Sequence, residues 1–111
     1  PEMRVGLFTE SYAPVINGVS TSVATLARLL RATGHTPEIV APHAEGHVDT
    51  ERVLRLSSWR WPYYPGFPFA WPPVGPFARQ TDALALDAVH SQHPFGIGLH
   101  ARRAARRRGI P

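Results

Sequence analysis

The sequence contains no cysteine and no lysine among its 111 residues. Without cysteine, the chain has neither a disulfide framework nor a thiolate metal site. Without lysine, it has neither the lysine of a phosphate-binding P-loop nor one that could form a Schiff base. It also lacks an apolar run long enough to span a bilayer, and no stretch resembles a signal peptide. We therefore expect one small cytoplasmic domain with a modest core, and we expect no metal or cofactor.

The positive charge of the chain is carried by arginine alone. All twelve basic residues are arginine, the net charge is +4, and five of the arginines lie within residues 102–108. The simplest interpretation is a solvated helix face, in which Arg106 to Arg108 complement the negative end of the helix dipole. Contact with RNA or with anionic lipid is the second interpretation. A local cluster is weaker evidence for nucleic-acid binding than a basic face spread over the domain.

The first part of the chain predicts a β–α–β unit. "MRVGLFT" (residues 3–9) is a short apolar run that is typical of a buried strand. From Val19 to Leu30 the apolar residues follow helical spacing, and Gly34 is a stop signal. "TPEIVAP" (residues 36–42) predicts the second strand. Strands connected in this way are parallel and have a right-handed crossover.

The second part of the chain continues the alternation. "RVLRLS" (residues 52–57) and "DAVHSQ" (residues 87–92) predict strands, and "ARQTDALAL" (residues 78–86) predicts a short helix. A last helix should end at Gly109, after which Ile110 and Pro111 begin another strand. The predicted fold class is therefore α/β: a Rossmann-like three-layer domain with a mainly parallel sheet of about four strands.

The segment at residues 59–77 has an unusual composition. It holds eight of the eleven aromatic residues and six of the twelve prolines. Proline removes backbone donors and fixes φ, so we expect no regular structure here. Three roles fit this composition: a structural flap over the sheet edge, a wall of an acceptor site, or a membrane contact.

Two predicted loops lie at the carboxyl ends of strands, where open parallel sheets bind ligands. Residues 9–18 lead into a helix N-terminus, which suits phosphate, and Gly18 would let an oxygen approach the backbone closely. An ordinary turn with Asn17 or Ser20 as the N-cap fits this loop as well. In the second loop, His93 could bond a hydroxyl of a ligand. We expect His90, inside the strand, to be a packed or hydrogen-bonded structural residue.

Together these motifs resemble the opening of the retaining GT-B glycosyltransferases of family 4. The loop "E-S-Y-A-P-V-I-N-G-V" follows the family pattern D/E-x-Y-x-P-x-x-N-G-V, and "G-H-T-P-E-I-V-A-P" follows G-H-E-V-x-V-x-A-P. Residues 87–111 resemble the later pattern P-D-V-V-H-x-x-x-P-F-x-x-G, which continues to A-R-x-x-G-I-P. The resemblance covers nearly the whole chain.

The resemblance implies that residues 1–111 form an incomplete N-terminal, acceptor-side Rossmann-like domain, without the C-terminal donor-binding domain that activity needs. The implied reaction moves a sugar from a nucleotide diphosphate sugar (a UDP- or GDP-sugar) to a sugar or lipid acceptor. Diacylglycerol and phosphatidylinositol are candidate acceptors, and peripheral contact with the inner face of the membrane is a candidate location.

The resemblance also implies roles for particular residues. The donor diphosphate would lie at Asn17, Gly18 and Val19. The acceptor side of the cleft would be lined by Glu10, Tyr12 and His93. The family's cleft histidine would follow Pro111 and the paired glutamates belong to the other domain, so we assign no catalytic residue. We expect this chain alone to be inactive, because most donor contacts are absent.

Two other classes of function stay open at the level of sequence. One is a non-enzymatic flavodoxin-like binding domain, which the β–α loops alone would also fit. The other is a nucleic-acid-binding module that uses the arginine run, although the local character of that run disfavours it.

Overall fold

The computed structural model describes residues 2–14, 16–44, 46–49, 52–56, 58–60, 68–70, 75–92 and 97–111. For residues 56, 58–60, 68–70 and 75–78 only the backbone is described. The strands are β1 (Arg4–Phe8), β2 (Thr36–Pro42), β3 (Val53–Leu56), β4 (Ser58–Arg60), β5 (Pro68–Ala70) and β6 (Ala88–Ser91). The helices are α1 (Gly18–Ala32), α2 (Gly75–Asp82) and α3 (Ile97–Arg108).

The main sheet has the strand order β3-β2-β1-β6, and all its neighbours pair in parallel. The chain leaves β1 through α1 toward β2 on one side, whereas β6 lies on the other side of β1. The carboxyl ends of β1 and β6 therefore meet at a topological switch point, where open α/β sheets bind ligands. The predicted Rossmann-like α/β fold with a parallel sheet is confirmed.

Two hydrophobic clusters fill the space between the helices and the sheet. Successive side chains of a strand point to opposite faces, so neighbouring residues of β1 enter different clusters. Leu7 packs with Val23 and Ala27 of α1, whereas Phe8 packs with Ile97 and Ala101 of α3. The sheet is thus covered by a helix on each face, which is the predicted three-layer arrangement.

Local signals determine both ends of α1. The Asn17 Oδ1 atom accepts a hydrogen bond from Ser20 N at 2.9 Å, and Ser20 Oγ accepts one from Asn17 N at 2.9 Å. This reciprocal pair is a capping box, with Asn17 as the N-cap. At the other end, Gly34 adopts a φ of +89°, a conformation that glycine adopts without strain.

The prediction that residues 59–77 contain no regular structure is wrong. Strands β4 and β5 pair antiparallel, with Trp59 opposite Phe69, and α2 begins at Gly75, earlier than predicted. Aromatic residues favour strands, and the prolines occupy tolerated places: Pro68 is the first residue of β5 and Pro76 lies in the first turn of α2. Residues 61–67 and 71–74 lie outside the described residues, so the three roles considered for this segment are not decided.

The last two residues lie along the free side of β6. Gly109, with a φ of +65°, follows α3, and the carbonyl oxygen of Pro111 accepts a hydrogen bond from Val89 N at 2.9 Å. This bond joins β6 to the point where the sequence predicts the start of a further strand. In the part of the chain that the structure describes, no helix has both the length and the apolar character needed to cross a membrane.

Gly6, in the middle of β1, provides a test of the packing. A Cβ atom at this position would lie 2.6 Å from Leu86 Cδ1 and 2.8 Å from Phe8 Cε1, and both side chains are fully buried. We expect Gly6→Ala to lower the free energy of unfolding by about 1–3 kcal/mol, because the core would have to repack. Chemical denaturation measures this change, and an unaltered midpoint would contradict the packing described here.

Candidate functional site

The candidate site is the loop between β1 and α1, at the carboxyl edge of the sheet. Thr9 fixes the start of this loop: its N–H donates to Val40 O at 3.0 Å, and its Oγ1 donates to Ser11 O at 2.8 Å. The Oγ1 atom of Thr9 also accepts a bond from Ser11 N at 3.1 Å. On the other side, Gln92 N donates to Phe8 O at 3.1 Å. The loop therefore leaves the sheet from a defined position at the switch point.

Asn17, Gly18 and Val19, the predicted diphosphate residues, form the start of α1. The first N–H groups of a helix have no partner within it and carry a partial positive charge. The Asn17 side chain is exposed, and its Nδ2 donates to Ser11 Oγ at 2.7 Å, which ties the end of the loop to its beginning. A Cβ atom on Gly18 would meet no atom within 4 Å among the described residues. Packing among the described residues therefore does not require glycine there, and those residues leave the space beside it open.

Glu10 connects the loop to the second helix N-terminus at this edge. Its Oε1 atom accepts a hydrogen bond from Ile97 N, at the start of α3. Its Oε2 atom is buried and has no hydrogen-bond partner among the described residues. Burial raises the pKa of the Glu10 carboxyl, and the bond from Ile97 opposes part of that rise. The site therefore contains a carboxylate whose charged form is disfavoured by its surroundings.

Tyr12 lies deeper than a residue that merely lines a cleft. Its side chain is 8% exposed and packs in the same cluster as Leu7 and Val23. One face of its ring receives the guanidinium of Arg55, with Arg55 Cζ 5.7 Å from the ring centroid, a cation–π arrangement. A contact between Tyr12 and an acceptor stays a prediction.

Two histidines are predicted near the second loop, His90 inside β6 and His93 after it. His93 lies outside the described residues. His90 is exposed rather than packed, and its Nε2 lies 3.0 Å from Gln92 Nε2, within hydrogen-bond distance. The hydrogen-bonded alternative therefore describes His90, and the packed alternative does not.

The sequence interpretation missed Arg55 of β3. Its Nε and Nη2 atoms donate to Asp49 at 3.0 and 2.7 Å, Nη1 donates to Pro42 O at 3.0 Å, and Nη2 also donates to Ala13 O. Hydrogen bonds from Arg55 lower the pKa of the Asp49 carboxyl, and His47, whose Nε2 is 3.3 Å from Asp49 Oδ1, adds to this effect. The available signal was a charged residue inside the apolar run "VLRL", at the carboxyl end of a predicted strand.

The arginine run on α3 is partly structural. Arg103 forms two bonds with the Asp82 carboxylate, at 2.9 and 3.0 Å, and Arg108 Nε donates to Leu86 O at 2.7 Å. These contacts hold α3 against α2 and the loop that follows it. The outer face of α3 forms an open groove of about 570 Å³, lined by Leu99, Arg102, Arg103, Arg106 and Arg107.

The fold defines the class of this chain, a Rossmann-like α/β domain, and comparison with known proteins agrees with that class. The profile of glycosyltransferase family 4 matches residues 16–111, so the chain belongs to that family. The match supports the glycosyltransferase interpretation and neither of the two alternatives.

Individual relatives match almost the whole chain. It is 34% identical over 116 residues to a GDP-mannose-dependent alpha-mannosyltransferase of Mycobacterium tuberculosis, covering 98% of the chain and 30% of the relative. It is 33% identical over 113 residues to the alpha-monoglucosyldiacylglycerol synthase of Acholeplasma laidlawii, covering 98% of the chain and 28% of the relative. For the synthase of the same name from Streptococcus pneumoniae the identity is 32% over 117 residues, covering 98% and 25%. The chain thus spans less than a third of the length of these relatives.

Proposed function

We propose that this chain is the N-terminal, acceptor-side part of a retaining glycosyltransferase that moves a hexosyl group from a nucleotide diphosphate sugar to an acceptor. The observation that carries the proposal is Gly18, the first residue of α1 at the carboxyl edge of the sheet, where a Cβ atom would meet no described atom within 4 Å. The N–H groups at this helix start can stabilise the charge that develops on the leaving diphosphate. Asn17 and Val19 flank Gly18 and complete the proposed donor contact.

The acceptor side of the proposal rests on Glu10, Tyr12 and His93. The second carboxylate oxygen of Glu10 is buried and has no partner among the described residues, so an acceptor hydroxyl would have to reach below the surface of the loop to donate a hydrogen bond to it. Tyr12 lies two residues further along the same loop, and His93 enters through its place in the family motif alone.

The names of the relatives suggest the first substrates to test. GDP-mannose is the donor named for one group, and a glucosylated diacylglycerol is the product named for the other. We propose a GDP- or UDP-sugar as the donor and a sugar or a lipid, such as diacylglycerol or phosphatidylinositol, as the acceptor. We also propose that the protein is cytoplasmic, and a lipid acceptor would bring it into peripheral contact with the inner face of the membrane.

The test is a transfer assay with the full-length protein. GDP-mannose and UDP-glucose are offered as donors, with diacylglycerol or phosphatidylinositol in mixed micelles as acceptors, and products are identified by mass spectrometry. We expect a glycolipid whose anomeric configuration, read by proton NMR, is that of the donor. We expect no transfer by residues 1–111 alone, because most donor contacts would be missing. Failure of the full-length protein to transfer or hydrolyse any donor would contradict the proposal, and transfer by residues 1–111 would contradict the domain assignment.

A further inference from the structure

The Arg55 guanidinium connects three chain segments that meet at the carboxyl edge of the sheet. It donates to the carbonyl oxygen of Ala13 in the β1–α1 loop, to that of Pro42 at the end of β2, and to the Asp49 carboxylate in the connection to β3. Pro42, Asp49 and Arg55 are remote from the loop in sequence, so the loop is held by another part of the fold.

Arg55 contacts the loop at two consecutive residues. It bonds the carbonyl oxygen of Ala13 and lies over the ring of Tyr12 at 5.7 Å. Beyond these residues, the loop closes on itself through the bond of 2.7 Å from Asn17 Nδ2 to Ser11 Oγ. The segment that Arg55 contacts is therefore adjacent in the chain to Ser11, which is bonded to the residue that caps α1.

The chemistry of this cluster requires arginine. The Arg55 and Asp49 side chains are 16% and 17% exposed, so water competes weakly for their hydrogen bonds. A planar fork can bond a carboxylate through two nitrogens and reach two carbonyl oxygens from the same group. Lysine offers a single nitrogen at the end of a flexible stem and cannot reproduce this set of bonds.

We propose that Arg55 is a positioning residue: it sets the conformation of residues 11–14 and thereby holds Asn17 and Gly18 where the donor diphosphate binds. The inference about the loop rests on the contacts above, and its consequence for transfer rests on the proposed function.

The chain offers a matched control in Arg52, three residues earlier. Arg52 is 66% exposed on its side chain and pairs with Glu38 at 2.9 Å, so it has the same charge and a similar ion pair, but it makes no hydrogen bond or ion pair to the described residues of the loop. The experiment compares the full-length wild type with three variants, Arg55→Ala, Arg55→Lys and Arg52→Ala. Each protein is measured below its own melting temperature.

The direct readout is hydrogen–deuterium exchange of a peptide that covers residues 9–17. We expect its exchange to rise about tenfold in Arg55→Ala, with lysine restoring only part of the protection, and to stay unchanged in Arg52→Ala. Unchanged exchange of this peptide in both Arg55 variants, or an equal rise throughout the domain, would overturn the inference. If Arg55→Ala does not fold, Arg55→Lys gives the same test.

Transfer kinetics give the second readout. We expect kcat to fall about tenfold or more in Arg55→Ala and less in Arg55→Lys, with little change in the acceptor KM, because misplaced N–H groups stabilise the transition state poorly. A merely structural role would lower the melting temperature and leave kcat at low temperature unchanged. If the wild type itself transfers no sugar, the proposed function fails, and the exchange measurement still decides whether Arg55 positions the loop.

Discussion

Replacing Gly18 with valine is expected to lower kcat/KM for sugar transfer by about 100-fold or more while the protein stays folded. The valine side chain would enter the space that the described residues leave open beside the first turn of α1, which we propose is occupied by the donor diphosphate. It would keep phosphate oxygens away from the N–H groups at the helix start. The measurement is the initial rate of transfer by the full-length variant, with circular dichroism and a melting curve as the test of folding.

The fold should tolerate this substitution because no described atom lies within 4 Å of a Cβ at Gly18. Valine also has a higher helix propensity than glycine, by a few tenths of a kcal/mol. Gly18→Ala should give an intermediate loss, since a methyl group fills less of the space. Ser22→Val is the matched control, because Ser22 is exposed one turn further along the same helix. Equal loss in Ser22→Val, or normal transfer by Gly18→Val, would remove the donor contact from this loop.

Replacing Glu10 with glutamine should change stability and transfer in opposite directions. The amide keeps an oxygen that can accept the bond from Ile97 N, but it removes a charge that burial disfavours. We expect a gain of up to about 1 kcal/mol in the free energy of unfolding at neutral pH. For transfer, we expect kcat/KM to fall about 10- to 100-fold through a higher acceptor KM, because a hydroxyl bonds a carboxylate more strongly than an amide.

The raised pKa of Glu10 determines the pH range in which Glu10→Gln stabilises the protein. The pKa of Glu10 is raised above its ordinary value in the folded protein, and burial of the carboxyl is the main cause. A carboxyl of this kind contributes stability that is complete below its unfolded pKa and is lost as the pH rises through the folded pKa. The advantage of Glu10→Gln should therefore be present at neutral pH and disappear as the pH falls toward 4.

Asp87 provides the control for Glu10. Its Oδ2 atom also accepts a backbone bond, from Arg4 N at 2.7 Å, but at the opposite, amino end of β1. Asp87→Asn should leave the acceptor KM unchanged. If Glu10→Gln also leaves the acceptor KM unchanged, Glu10 is a structural link between the loop and α3 and does not bind the acceptor.

The sequence predicts those parts of the fold whose signals are local. Strand β2 has the predicted bounds, Asn17 is one of the two predicted N-caps, and Gly34 and Gly109 mark the ends of helices. Each of these features depends on hydrophobic periodicity or on capping within a few residues. The family motif then predicts the place of the site.

The parts that sequence reasoning misses depend on contacts between distant residues. The bond from Ile97 to Glu10 joins residues 87 positions apart, and the bond from Arg55 to Ala13 joins residues 42 apart. Neither pairing follows from spacing or propensity. The strand pair β4 and β5 is not predicted from the sequence because the proline content of residues 59–77 argues against regular structure, although their aromatic residues favour strands.

The most direct test of the central claim is a crystal structure of the full-length protein with a nucleotide diphosphate bound. The proposed placement predicts that a phosphate oxygen lies within hydrogen-bond distance, about 3 Å, of the Gly18 or Val19 N–H group at the start of α1. A diphosphate bound entirely by other residues, with this helix start facing only solvent, would contradict it.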